Sequence, residues 1–335
     1  MRLPETLWRF KYLEFLILAG LLILEFVLFF SLFPVQQFVF AQNTTENVIT
    51  YLTVGNSFPE IVNVSVQNDA ASLDLVANNT VIVQCVAVVQ DWNGEGDVIN
   101  VTARFYDTTN SSFGGALDNN SHYRNDSTVG NSRCNINYTY GDQYQLLANC
   151  TFPVQYYANN ATWACTVNAT DNESLDDYNQ DNITINKLLA LDLPNNITYG
   201  TVNATFVSNM INATIFNYGN VDFNLTLYGY ATAVADNLSM NCTLGTIKNI
   251  SVGYEKYNLT AFNGTAINLS AFETGIYANL TSNTSLTRLL NLRQRQNDST
   301  DDTRNTTYWR IYVPKGVAGS CQGHIVFVAT QSPGI

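Results

Sequence analysis

The feature that most restricts the fold of this chain is a two-residue alternation of apolar and polar side chains that recurs along most of its length beyond residue 42. In Phe223-Asn224-Leu225-Thr226-Leu227, an extended strand puts the apolar residues on one face and Asn224 and Thr226 on the other. Val62-Asn63-Val64-Ser65-Val66, Val101-Thr102-Ala103-Arg104-Phe105 and Thr166-Val167-Asn168-Ala169-Thr170 read the same way. Helical periodicity is nearly absent. The expected fold class is therefore all-β, with many short strands and turn residues pointing to antiparallel sandwiches.

The polar half of the alternation carries a second message. Of 43 asparagines, 27 begin an Asn-x-Ser/Thr sequon, from Asn43 to Asn305. The Ser and Thr content would give about 7 by chance, so the excess marks N-glycosylation as the selected property and places the chain outside the cell. A sequon written into a strand keeps acceptor Asn and hydroxyl on one face. Asn63, Asn100, Asn137, Asn168, Asn224, Asn258, Asn268 and Asn305 are accordingly expected to be solvent-facing glycosylation sites.

Export needs a signal, and the N-terminus offers one. Arg2, Arg9 and Lys11 precede an apolar run from Leu13 to Phe33, and Val39-Phe40-Ala41 follows, so residues 1–41 read as a signal peptide cleaved after Ala41 or as an uncleaved transmembrane anchor. Glu14 and Glu25 weigh against the anchor; in both readings the rest of the chain faces out. Residues 42–58 form a polar linker or first strand, 59–187 a first sandwich, 188–194 a hinge that follows the acidic stretch Asp171 to Asp181, and 195–331 a second sandwich. A net charge of -12 with only 15 Lys and Arg argues against a nucleic-acid partner. The expected partners are other surface proteins or glycans, and the membrane if the N-terminal segment is retained.

Six cysteines, all in the exported part, fit three disulfides. Cys85 and Cys165 lie in two strand-like stretches with the separation of an immunoglobulin-type bridge between sheets, Trp163 standing where such folds often have Tyr. Cys134 and Cys150 flank a hairpin signal centred on Asp142, which sets Ile136 opposite Ala148 and Tyr138 opposite Leu146. Cys242 and Cys321 are left for the second sandwich.

Residues 217–225 (NYGNVDFNL), Tyr308 to Gly316 and Cys321 to Ala329 resemble the C-terminal sandwich module of uncharacterised secreted proteins from small-genome archaea, and residues 59–187 resemble the immunoglobulin-like module that often precedes it. The resemblance implies a cell-surface glycoprotein of two immunoglobulin-like sandwiches and assigns no chemistry.

One stretch carries possible chemistry. In DWNGEGD, Asp91, Asn93, Glu95 and Asp97 place oxygen ligands at the odd positions of a calcium loop, with Gly96 at the sixth. Its twelfth position is Thr102, which cannot supply a bidentate carboxylate, so an EF-hand is excluded. A looser calcium site, shared with the acidic loop Asp171 to Asp181 at the same end of the sandwich, and a solvated turn are the remaining readings. No hydrolase elbow, zinc-protease motif, phosphate loop or dinucleotide fingerprint occurs. The expected function is a non-enzymatic structural or adhesive surface protein; the alternative is a glycan- or partner-binding module. Arg293-Gln294-Arg295-Gln296 reads as a solvated strand edge.

Overall fold

The computed structural model describes residues 18–22, 48–125, 134–261, 266–282, 286–296 and 303–331. The chain divides into two compact units, Met1–Val54 and Gly55–Ile335. In the first, residues 18–22 are helical and residues 48–54 are exposed without regular structure. The rest of the apolar run from Leu13 to Phe33, and the cleavage point at Ala41, lie outside the described residues. No helix among the described residues is long and apolar enough to cross a membrane.

The larger unit is all-β. Its first half contains β1 (Glu60–Val66), β2 (Ser72–Leu73), β3 (Thr80–Gln90), β4 (Val98–Asp107), β5 (His122–Asn125), β6 (Asn135–Asn137), β7 (Gln145–Gln155), β8 (Thr162–Asp171) and β9 (Asp176–Ile185). These form one sheet in the order β1-β3-β7-β6 and a second in the order β2-β9-β8-β4-β5, closing on a shared core that includes Val83, Phe105, Phe152, Trp163 and Val167. The Cys85–Cys165 disulfide joins β3 to β8 across that core, and Cys134–Cys150 ties the approach to β6 onto β7. Ile136 pairs with Ala148, but the ladder stops at Asn137 opposite Leu147. Tyr138 instead leaves the strand and donates its hydroxyl proton to Val98 O.

Three local departures from simple alternation have physical causes. A bulge between Ile61 and Asn63 rephases β1, so Ile61, Val64 and Val66 point inward and Val62, expected inside, is 49% exposed. The acidic stretch after Cys165, expected as a loop to Asp181, is a tight turn and then β9 from Asp176. Its carboxylates are used by the neighbouring sheet: Asp177 Oδ2 accepts from Ile61 N at 2.8 Å and Asp181 Oδ2 from Val66 N at 2.9 Å. Side chains of β9 thus satisfy the open backbone edge of β1. Finally, β2 pairs with β9 in parallel, the one non-antiparallel ladder among the described strands.

The second half contains β10 (Leu191–Asp192), β11 (Ile211–Asn217), β12 (Phe223–Tyr230), β13 (Leu238–Gly245), β14 (Asn249–Ser251), β15 (Glu255–Asn258), β16 (Ala278–Asn279), β17 (Leu286–Leu292), β18 (Arg304–Ile311), β19 (Val317–Gln322) and β20 (His324–Gln331), with a short helix at Leu269–Thr274. Sheet β10-β11-β18-β15-β16 packs on sheet β17-β12-β20 around Trp309, Tyr257, Phe223 and Leu225, and sheet β14-β13-β19 carries the cross-strand disulfide Cys242–Cys321.

The two halves are joined through the NYGN turn before β12. The fully buried Asn220 carboxamide donates to Ala158 O and Asn186 O, both at 3.0 Å, and accepts from Leu188 N at 2.7 Å. A Cβ on Gly219 would lie 2.1 Å from Leu188 O, so only glycine allows this approach. Arg293-Gln294-Arg295-Gln296, expected as a solvated edge, belongs to the same junction: Gln294 Nε2 donates to Asn159 Oδ1 at 2.8 Å, Asn120 Nδ2 donates to Arg295 O at 2.6 Å, and the Arg295 guanidinium lies 5.1 Å from the Tyr157 ring centre. Asn220→Ala strands two carbonyls and one amide in this buried junction, and is expected to lower unfolding free energy by about 2 to 3 kcal/mol. Urea unfolding checks this; an unchanged midpoint contradicts the role given to Asn220.

Candidate functional site

The β3–β4 turn begins where Asp91 ends the β3 ladder. Asp91 N donates to Tyr144 O, Asp91 Oδ1 accepts from Asn93 N at 2.8 Å, and Asp91 O accepts from Gly94 N at 3.0 Å. Gly94 at φ 117° supplies a backbone conformation that side chains resist. A single 3₁₀ turn, Glu95–Asp97, then leads into β4. On the neighbouring strand, Asp171 closes the β8–β9 turn by accepting from Leu175 N through Oδ1 at 2.8 Å. Because Asp171 pairs with Val98, Asp97 stands beside it, and Asn172 fastens the two turns by donating from N to Asp97 O and from Nδ2 to Asp97 Oδ1.

The result brings together Asp91, Asp97 and Asp171, with one carboxylate oxygen from each within 4.8 Å of the others. Asp91 and Asp171 are fully buried. Burial raises the Asp91 pKa above the ordinary carboxylate range; the hydrogen bond from Asn93 N opposes this, and the charges of Asp97 and Asp171 add to it. Glu95 does not join this cluster of carboxylates. Asn93 is exposed and its Oδ1 is taken by Ser57 N at 2.8 Å and Ser57 Oγ at 2.6 Å. Of the three odd-position acids, Asp91 and Asp97 converge and Glu95 does not, the chain taking a 3₁₀ step at Glu95–Asp97. Asp171 supplies the third carboxylate, and its convergence with Asp97 follows from the β4–β8 register, which the local motif does not contain.

The sequon asparagines occupy varied settings. Asn63, Asn137 and Asn268 are exposed, Asn268 also accepting from Ala271 N as the cap of the short helix. Asn100, Asn168, Asn258 and Asn305 are half-buried; Asn168 Nδ2 donates to Asp176 Oδ2 at 2.9 Å and Asn305 Nδ2 to Leu290 O at 2.8 Å. Asn224 corrects the expectation of a solvent face: it is 1% exposed, and Thr226 is 5% exposed. The partner strand β17 runs irregularly between its pairings with Phe223 and Leu225, and Asn224 Oδ1 accepts the Asn291 N–H at 3.0 Å. This central strand is covered on both faces.

His122 and Glu255, elsewhere in the fold, also have shifted pKa values. His122 is buried against Tyr106, its Nδ1 2.9 Å from Ser111 Oγ; burial, then Arg124 and Arg104, lower its pKa to about 4. Glu255 is buried beside a groove of about 400 Å³ also lined by Met240, Cys321 and His324, and it accepts the Tyr199 hydroxyl at 2.8 Å. Burial raises its pKa to about 7, opposed by the Tyr199 hydrogen bond.

No protein-family model and no curated protein matches the chain. Among solved structures it is similar to a chain of a chaperone-tip adhesin complex of CFA/I fimbriae biogenesis, at 9% identity and TM-score 0.30, covering 77% of each chain. It is also similar to Escherichia coli alpha-2-macroglobulin, at 9% identity and TM-score 0.22, covering 84% of this chain and 22% of that one. A carbohydrate-binding module of the β-sandwich superfamily matches at 9% identity and TM-score 0.23, covering 82% of this chain and 97% of that one. At these scores the likenesses carry no argument about function.

Glu255 gives a testable pH dependence. A folded-state pKa of about 7, raised from 4.5, means the unfolded chain releases this proton first as pH rises. The site's stability is complete below about pH 4.5 and is lost as pH climbs through 7, a fall of about 3 kcal/mol. Glu255→Gln keeps the Tyr199 hydrogen bond and removes the titration. The difference in unfolding free energy between variant and wild type is expected to grow over that interval; a difference that stays constant with pH contradicts the assignment.

Proposed function

We propose that this chain is an exported, non-enzymatic surface glycoprotein of two immunoglobulin-like sandwiches, serving as a structural or adhesive element in contact with copies of itself, other surface proteins or glycans. The family it resembles is the secreted sandwich glycoproteins of small-genome archaea. Residues 1–41 either leave as a signal peptide or remain as the membrane anchor.

The observation that carries this reading is the placement of the sequons. Of the 27 acceptor asparagines, 15 are exposed, six are half-buried and two are buried, the other four lying outside the described residues. Sugars at the exposed positions coat both sandwiches while the cores stay intact. Three disulfides fit an oxidising compartment. The tight junction through Asn220 suits a rigid spacer better than a hinged binding protein.

A sugar coat also limits where neighbours touch, because decorated faces are shielded. The exposed run Val48, Ile49, Tyr51, Leu52 and Val54 contains no sequon, and Tyr51 is 91% exposed. Exposed apolar surface of this kind marks a contact surface. The purified glycosylated protein is expected to assemble in a concentration-dependent way in sedimentation velocity, and Tyr51→Ser with Leu52→Ser to weaken assembly. A chain that stays monomeric at every concentration and is retained on a glycan array contradicts the structural reading and favours the binding module.

A further inference from the structure

We infer that Asp91, Asp97 and Asp171 form a calcium site that locks the loop end of the first sandwich. Three carboxylates bring one oxygen each within 4.8 Å of the others. Crowding alone proves nothing, since acidic clusters are common at solvated turns. The second observation is that Asp91 Oδ2 and Asp97 Oδ2 are both shut off from solvent with no hydrogen-bond partner, although Asp91 is fully buried. A buried ionised oxygen without a partner is strongly disfavoured, and native proteins rarely leave one. Neither turn, 91–97 nor 171–175, contains a Lys or Arg to answer the charge. One cation coordinated by the three aspartates answers both orphan oxygens and the mutual repulsion.

The donor set selects the ion. Its carboxylates are hard oxygen ligands, and neither turn contains His or Cys, which disfavours zinc and copper. The ligands come from two separate turns, an irregular arrangement that calcium accepts with six to eight oxygens and that magnesium, with its strict octahedron, does not. Water completes the shell. Such a site falls in the weak range of extracellular modules, on the order of 10⁻⁴ to 10⁻³ M.

Occupancy has a mechanical consequence. Asp171 Oδ2 accepts from Asn56 Nδ2 at 2.7 Å, and Asn93 holds Ser57, so fixing the two turns also fixes residues 56 and 57 against them. The test uses the purified full chain, stripped with chelator and titrated with calcium chloride in a calorimeter, with amide hydrogen exchange as a second readout. Asp97→Asn removes one ligand charge with little change of shape; Glu95→Gln alters an acid of the same turn outside the cluster. The expected result is one calcium per chain for wild type and Glu95→Gln, with slowed exchange in both turns, and binding weakened on the order of tenfold or more in Asp97→Asn. No calcium-dependent heat or protection in wild type overturns the site, as does equal binding by wild type and Asp97→Asn.

Discussion

The junction between the two sandwiches is built around a buried carboxamide. Asn220 reaches back from the second sandwich to a carbonyl at the end of the first, and to both a carbonyl and an amide of the connecting passage, with Gly219 making room for the chain to pass. Hydrogen bonds of this sort contribute little net when made and cost a good deal when left unmade, so they choose one arrangement rather than add stability. Around them lie apolar and cationic contacts: Tyr156 meets Tyr218 edge to face at 5.7 Å, and Arg295 sits over Tyr157. The passage between sandwiches is therefore pinned by side chains, whereas its sequence from Leu188 to Pro194 reads as a hinge.

The same logic recurs at the sheet edges. Edge strands invite pairing with other chains unless their backbone groups are occupied. Here Asp177 and Asp181 project from β9 onto the amides of β1, and Asn179 Nδ2 donates to Ile61 O at 3.0 Å. Much of the acidity that sequence reading assigns to a solvated loop is spent in closing the first sandwich. Trp163 ties these themes together: fully buried, stacked on Phe105 at 4.9 Å, it donates its indole N–H to Asn159 O, and Asn159 Oδ1 receives Gln294 from the second sandwich.

The all-β class was legible because period-two alternation follows from strand geometry alone, and Val101 to Phe105 obeys it residue by residue. The structure forms three disulfides, and the cysteines lie in or beside strand-like stretches whose alternation is local. Legibility stops where long-range registers decide. Val62 faces out because of a bulge, and Asn224 is buried because β17 approaches irregularly and offers its amide; neither event leaves a mark within five residues of sequence. The carboxylate cluster shows both sides: Asp91 and Asp97 belong to a readable turn, whereas Asp171 meets them only through the pairing of β4 with β8.

The two sandwiches meet at a side-chain-bonded junction, and exposed sequon asparagines lie on both, some in strands and some in turns. The central claim of the proposed function is that the exposed sequon asparagines carry sugar and the buried Asn224 does not. Glycopeptide mapping of the exported protein by mass spectrometry tests it most directly. The account predicts glycan on exposed asparagines such as Asn63, Asn137, Asn182 and Asn212, and an unmodified Asn224. Bare asparagines at all the exposed sequons, or a fully occupied Asn224, would contradict it.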